Sequence, residues 1–228
     1  MAIAVMLLIG WSAIVGVFGR SVGTRSIAFG AHCWFLHPWF VALAWWRLYG
    51  FPWDPRLWVA FFVHDLGYIG AKNIDGPEGE EHPWLGATLM EVFDVRGWAT
   101  TGARDWLPRA LDAVYGPVAR HGAYNWHQFA FYHSRTMARR YGRAPSRLAA
   151  ADKLAIALTP AWLYLPMVRM TGEIGEYRRL HDEAHAGRGK YAADGGMRHG
   201  ASDAEWYRNL REWSRGWAYA NRLPAPEV

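Results

Sequence analysis

His64 and Asp65 stand side by side at the end of an almost unbroken apolar run, Leu57-Trp58-Val59-Ala60-Phe61-Phe62-Val63. No other feature limits the fold as strongly. A run of this kind is buried, and an imidazole and a carboxylate carried in with it are costly unless each finds a partner. Adjacent nitrogen and oxygen donors at a helix end can reach one metal ion. That donor mixture suits Fe, Mn, Zn or Co, with a position left open for water. Cys33 is the single cysteine, so neither an intramolecular disulfide nor a Cys-type zinc site can form. The 10 histidines are the available ligands.

The 228 residues suit one large domain or one domain with appendages. A hydrophobic fraction of 52% against 20% charged residues excludes a disordered tail. The formal charge of +5 comes largely from arginine, with Arg135, Arg139, Arg140, Arg143 and Arg147 clustered. Such a cluster reads as a solvated face that can also draw an anionic substrate or an acidic membrane surface. The balance is too mild to argue for nucleic acid. The 15 tryptophans read mostly as large core and rim side chains rather than a base-stacking surface.

Residues 1–18 are apolar throughout and are followed by Arg20 and Arg25. The run falls just short of the roughly 20 residues that span a bilayer. It also lacks the pattern of a cleaved signal peptide. It is either a buried or partner-covered helix, or an anchor whose following arginines leave the remainder in the cytoplasm.

Helical spacing dominates the rest, and strand signals are weak, so the expected class is all-α. Residues 34–50 read as a buried helix ending at Gly50, and residues 56–66 as an apolar stretch leading into the His-Asp pair. Residues 70–81 form a loop, with Gly76-Pro77 and Gly79 inside it. A short helix over 83–94 has Pro83 in its first turn. Residues 96–108 are irregular, and helices follow over 109–119 and 124–141. Ser146 is placed to cap a helix from Arg147 to Leu158. Pro160 and Pro166 interrupt the next stretch, residues 173–183 are helical, residues 186–203 form a loop, and a last helix covers 203–220. No internal repeat and no second hydrophobic core are evident.

Several pieces recur in a telling order. His37 opens His-x-x-x-Val-Ala, 27 residues before the pair. Then come His64-Asp65-Leu66-Gly67-Tyr68-Ile69-Gly70, Glu81-His82-Pro83-Trp84-Leu85-Gly86-Ala87, Tyr132-His133-Ser134 and Ala151-Asp152-Lys153. As a set, over roughly residues 30–160, they resemble the HD superfamily of metal-dependent phosphohydrolases, in its two-metal branch. The resemblance implies an HD-type helical bundle over residues 21–228, with a C-terminal helical extension, behind an apolar segment 1–20. It implies that His37, His64, Asp65 and Asp152 hold one divalent transition metal, such as Fe or Mn. Asp65 would bridge to a second ion held by His82 and His133. His32 competes with His37, and His121 with His133.

The implied reaction is hydrolysis of a nucleotide or another small phosphate ester through a metal-bound hydroxide. Asp65, Arg135 and Lys153 are the catalytic candidates, with Arg135 and Arg139 one helical turn apart as phosphate-binding groups. Glu80 and Glu81 are candidates to orient ligand histidines. The branch carries Lys where Tyr68 stands, and its Gly-Tyr-Pro triplet is absent, so cyclic-di-GMP hydrolysis is not expected. Lys72 or Lys153 would have to supply the missing cation. Two other readings share the residues: a di-iron HD-type oxygenase cleaving a small organic substrate, and a non-catalytic, membrane-associated protein of the same fold. His181, His185 and His199 lie outside the matched region and read as surface residues; the i, i+4 spacing of His181 and His185 lacks the glutamate of the helical zinc-protease pattern.

Overall fold

The computed structural model describes residues 19–95, 105–188 and 200–223. The apolar N-terminal run, His199, and most of the stretches expected to be irregular or loop lie outside the described residues.

Every regular element among the described residues is a helix. They are α1 (Val22–Phe29), α2 (His37–Tyr49), α3 (Pro55–Val63), α4 (Pro77–Glu80), α5 (Pro83–Met90) and α6 (Trp106–Tyr115). Then follow α7 (Trp126–Phe131), α8 (Arg135–Arg140), α9 (Arg147–Leu158), α10 (Ala161–Thr171), α11 (Glu173–His185) and α12 (Asp203–Ala220). Single 3-10 turns cover Leu66–Tyr68, Glu91–Phe93 and Val118–His121.

Helix α9 is the axis of the bundle. Ala149, Ala150, Ala151, Ala155 and Ala157 are fully buried on it. Their small side chains let α2 and α12 pack closely against it, while α5 packs on α7. The main core gathers around Trp45, Phe61, Trp126, Phe129, Leu148 and Leu154. Arg56 is fully buried against it, held by Asp54, Asp112 and the Gly116 carbonyl, with its guanidinium over the Trp126 ring. That network covers the arginine's donors, which is why a charge is tolerated there.

Several boundaries differ from the sequence reading, each for a local reason. The expected helix over 124–141 is two helices. The Ser134 hydroxyl accepts the Met137 N–H and starts α8, so the chain turns at Tyr132–His133 instead of continuing. The helix expected from 109 begins at Trp106, because Pro108 falls in the first turn, where its missing N–H leaves no bond unmade. Pro166 does not interrupt α10. The bond it forgoes is to the Trp162 carbonyl, on an exposed residue that water can serve. Ser146 stands at the start of α9, but its hydroxyl donates to the Phe129 carbonyl instead of capping. α1 and α4 were not evident from the pattern.

One further expectation is corrected. A second, smaller apolar cluster exists, built from Tyr164, Leu165, Val168, Trp206 and Tyr207 where α10, α11 and α12 meet. Among the described tryptophans, Trp45, Trp126 and Trp206 are buried, whereas Trp39, Trp46, Trp53, Trp106 and Trp162 are exposed. No single helix among the described residues is long and apolar enough to cross a membrane. The bent pair α9–α10 passes by length and composition alone, and α9 is the core helix.

Glu173, the first residue of α11, is buried beneath the second cluster and accepts the Ala31 N–H at 2.9 Å. Burial raises its carboxyl to about 7, against smaller opposing help from Ser26 and Ala31. The folded state therefore favours the protonated acid. This contribution to stability is complete below the ordinary glutamate range and is lost as pH rises through about 7. Thermal melts between pH 5 and 8 should show that loss, and Glu173→Gln should flatten it. An unchanged pH slope in the glutamine variant would contradict the assignment.

Candidate metal centre

The site is assembled from helix ends. His37 is the first residue of α2, His64 follows the last residue of α3, and Asp65 precedes the 3-10 turn. His82 precedes α5, and His133 sits in the break between α7 and α8. Asp152 alone comes from mid-helix, on α9. All six are buried.

Two glycines bring the segments together. A Cβ on Gly67 would lie 2.0 Å from the His82 carbonyl oxygen, and one on Gly86 would lie 2.6 Å from that of Val63. The His64–Gly67 and His82–Gly86 segments can touch backbone to backbone only because both positions lack a side chain.

The two oxygens of Asp65 face opposite ways. Oδ2 lies 3.1 Å from His64 Nε2 and 3.4 Å from His37 Nε2, while Asp152 Oδ1 is 3.0 Å from that same His37 nitrogen. Oδ1 lies 3.4 Å from His133 Nε2 and 3.6 Å from His82 Nε2. The residues thus form two groups that share Asp65: His37, His64, Asp65 and Asp152, and Asp65, His82 and His133. In each, the ligand atoms lie within 4.8 Å of one another and could hold a metal ion. Donors bound to one ion at ordinary metal–nitrogen distances stand about 3 to 3.5 Å apart, and the pairs here run from 2.9 Å for His82–His133 to 4.0 Å for His64–Asp152.

Backbone carbonyls set the direction of three rings. His64 Nδ1 donates to Phe61, His82 Nδ1 to Gly79 and His133 Nδ1 to Ala130, each carbonyl three residues earlier. This leaves the three Nε2 atoms as the donors turned inward. In neutral rings so oriented, His82 Nε2 and His133 Nε2 present lone pairs to each other at 2.9 Å. Two facing lone pairs repel unless a cation or a proton lies between them. His64 Nε2 and Asp65 Oδ2 are likewise buried without a hydrogen bond among the described residues.

The electrostatics favour ligand forms for His82, Asp65 and Asp152, but not for His64. Burial holds His82 well below the ordinary histidine range, with the His133 ring adding to the effect, so its imidazole is neutral. Burial alone would raise Asp65 and Asp152. The His64 and His32 rings pull Asp65 well below the carboxylate range, and the Lys153 ammonium, ahead of His37, does the same for Asp152. For His64, burial is outweighed by the Asp65 carboxylate, and the net shift is upward.

The other candidates take different places. His32 binds Ser26 Oγ at 2.8 Å and lies beside Tyr68, outside both ligand groups; burial lowers it to about 4. His121 is 3.1 Å from Asp54 Oδ2, in the arginine network and away from the centre. Lys72 is exposed and pairs with Glu78. Lys153 Nζ lies 2.8 Å from Asp152 Oδ2. Arg135 stacks over Trp213 at 4.7 Å and lines a cavity beside the site; Arg139 is exposed. Glu80 and Glu81 pair with Arg140, while backbone carbonyls orient the His64, His82 and His133 rings. His185 is exposed, as the sequence reading has it, and His181 is half-buried; both also line the cavity.

Tyr68, marked in the sequence only as a departure from the branch's lysine, stacks its ring flat on His82 at 4.0 Å. The orienting carbonyls carry no signal of their own. Their trace is positional, since each histidine follows a helical turn by three residues.

No family model, no curated protein and no solved structure matches this chain.

Proposed function

We propose that this chain is an HD-type, two-metal phosphohydrolase. The observation that carries the reading is Asp65, with one oxygen turned to each of two histidine-containing groups. His37, His64, Asp65 and Asp152 would hold one divalent ion, and Asp65, His82 and His133 the other. When bound, such ions acidify a coordinated water and polarise a phosphate oxygen.

The chain's own charges suit an anionic substrate. Two carboxylates against two divalent cations leave an excess of two positive charges in a buried site. Lys153 adds a third cation while its ammonium holds Asp152 in place. Arg135 lines the adjoining cavity, its guanidinium fixed over Trp213, where it can take phosphate oxygens. Tyr68 has no charge to offer, which favours a monoester over the cyclic dinucleotides of the lysine-bearing branch.

The direct test is phosphate release from a panel of monoesters with the protein loaded with Mn, Fe or Mg. Release that depends on metal is expected. Oxygen consumption by an iron-loaded protein, without phosphate release, would replace hydrolysis with the oxygenase reading. A chain that does neither is the non-catalytic form.

Lys153→Ala should weaken retention of the ion beside Asp152 by about 10- to 100-fold, the usual effect of removing a group that orients a ligand. KM should also rise. Competition with a chelating dye measures the first effect. Equal metal retention in variant and parent would show that Lys153 does not position Asp152.

A further inference from the structure

The cavity beside the centre encloses about 360 Å³ and is far longer than a phosphate group requires. His37, Asp152 and Lys153 line one part of it. The opposite wall is built by α11 and α12, with Tyr177 and Leu180 from the first and Trp206, Leu210 and Trp213 from the second. Arg135 stacks on Trp213, and Tyr207 bonds the Ile156 and Thr159 carbonyls. The α12 wall therefore runs from Trp213 and Ser214, near the metal end, towards Trp206.

Eight residues separate Ser214 from Trp206, an axial distance of about 12 Å. An extended chain covers about 1.2 Å per bond, so this length accommodates about ten. Burial pushes the Tyr164 and Tyr177 phenols well above their ordinary range, so these two side chains stay neutral. Asp75, His181 and His185 are the remaining titratable members of the lining. Two polar atoms in the wall, Trp206 Nε1 and Ser214 Oγ, are buried without a hydrogen-bond partner among the described residues. Such orphans are uncommon in a wall whose only task is packing.

We infer that the substrate is the phosphate monoester of an elongated, mostly apolar alcohol, its phosphate at the metal centre and about ten chain atoms laid along α12. The inference rests on the phosphohydrolase reading for its head group and on the cavity for its tail. One water is consumed: an O–P bond forms, the ester P–O bond breaks, and the alcohol leaves with the proton. The orphaned Trp206 Nε1 and Ser214 Oγ are left to take a polar group carried on that chain.

The test uses alkylphosphonates of one to twelve carbons, which cannot be hydrolysed. Their binding is read by the fluorescence of Trp206 and Trp213 in the purified, metal-loaded protein. Affinity should tighten roughly fourfold for each methylene that enters, about 0.8 kcal/mol, and level off near ten carbons. Ala184→Trp, which fills the cavity from the half-buried face of α11, should flatten that gradient while circular dichroism and metal content report an intact fold. Affinity independent of chain length would overturn the inference, and so would tighter binding of a nucleoside monophosphate than of decylphosphonate. The two readings fail separately. A chain-length gradient with no phosphate released from decyl phosphate upholds the cavity and removes hydrolysis. Phosphate release without a gradient does the reverse.

Discussion

Replacing Asp65 with alanine should empty both metal positions at once, whereas no other single ligand change should do so. Its Oδ2 belongs to the group with His37, His64 and Asp152, and its Oδ1 to the group with His82 and His133. Removing it takes one donor from each group and half of the centre's carboxylate charge. His82→Ala or His133→Ala should cost only the second ion, and Asp152→Ala only the first. Metal content per chain after dialysis distinguishes the cases, with hydrolysis falling to the metal-free background in Asp65→Ala. If Asp65→Ala retained one ion while His82→Ala lost both, the carboxylate would not be the bridge.

Gly67→Ala should be strongly destabilising although it replaces no ligand. The added methyl would sit 2.0 Å from the His82 carbonyl oxygen and 2.8 Å from its Cα, and both are backbone atoms that cannot swing aside. Relief requires the His82 segment to move away from the His64 segment. The cost should be about 3 kcal/mol, at the upper end for overpacking. For a domain of this size that corresponds to roughly 6–12 °C in Tm. The displacement is also directional. The clash separates the His64–Gly67 segment from the His82 segment, so the second group, which takes Asp65 from one and His82 from the other, loosens, whereas the first takes His64 and Asp65 from the same segment. Gly67→Ala should therefore melt early and keep one ion more tightly than the other. A variant with the parent's Tm would mean that the two segments are not in backbone contact.

The residues that meet at the candidate centre were legible through the resemblance to the HD superfamily, which supplies the order His37, His64-Asp65, His82, His133 and Asp152. Their burial cost adds that they need a shared partner. His37 and Asp152 are 115 positions apart and meet at 3.0 Å. The helical class was legible for the same reason that the boundaries were not: apolar spacing marks a buried face but does not say where the chain turns. Whether 124–141 is one helix or two depends on the Ser134 hydroxyl, a local competition that spacing does not register. The same break gives His133 its position.

His121 shows the opposite limit. It is a histidine in the right stretch of sequence, but its partner is Asp54, an acidic residue 67 positions earlier that the buried arginine had already drawn inward. The cavity wall was the least legible part. Tyr177, Trp206 and Trp213 come from the charged, polar-looking helices after residue 173, whose apolar faces meet α9 and α10 only in three dimensions. Nothing local in those residues distinguishes a substrate wall from ordinary packing.

The central claim is that two cations share one carboxylate, and metal quantification on the purified chain tests it most directly. The account predicts about two divalent transition-metal ions per chain after loading and dialysis, one retained in His82→Ala and none in Asp65→Ala. A parent chain that binds no metal under any loading condition, yet melts as a folded protein, would contradict it.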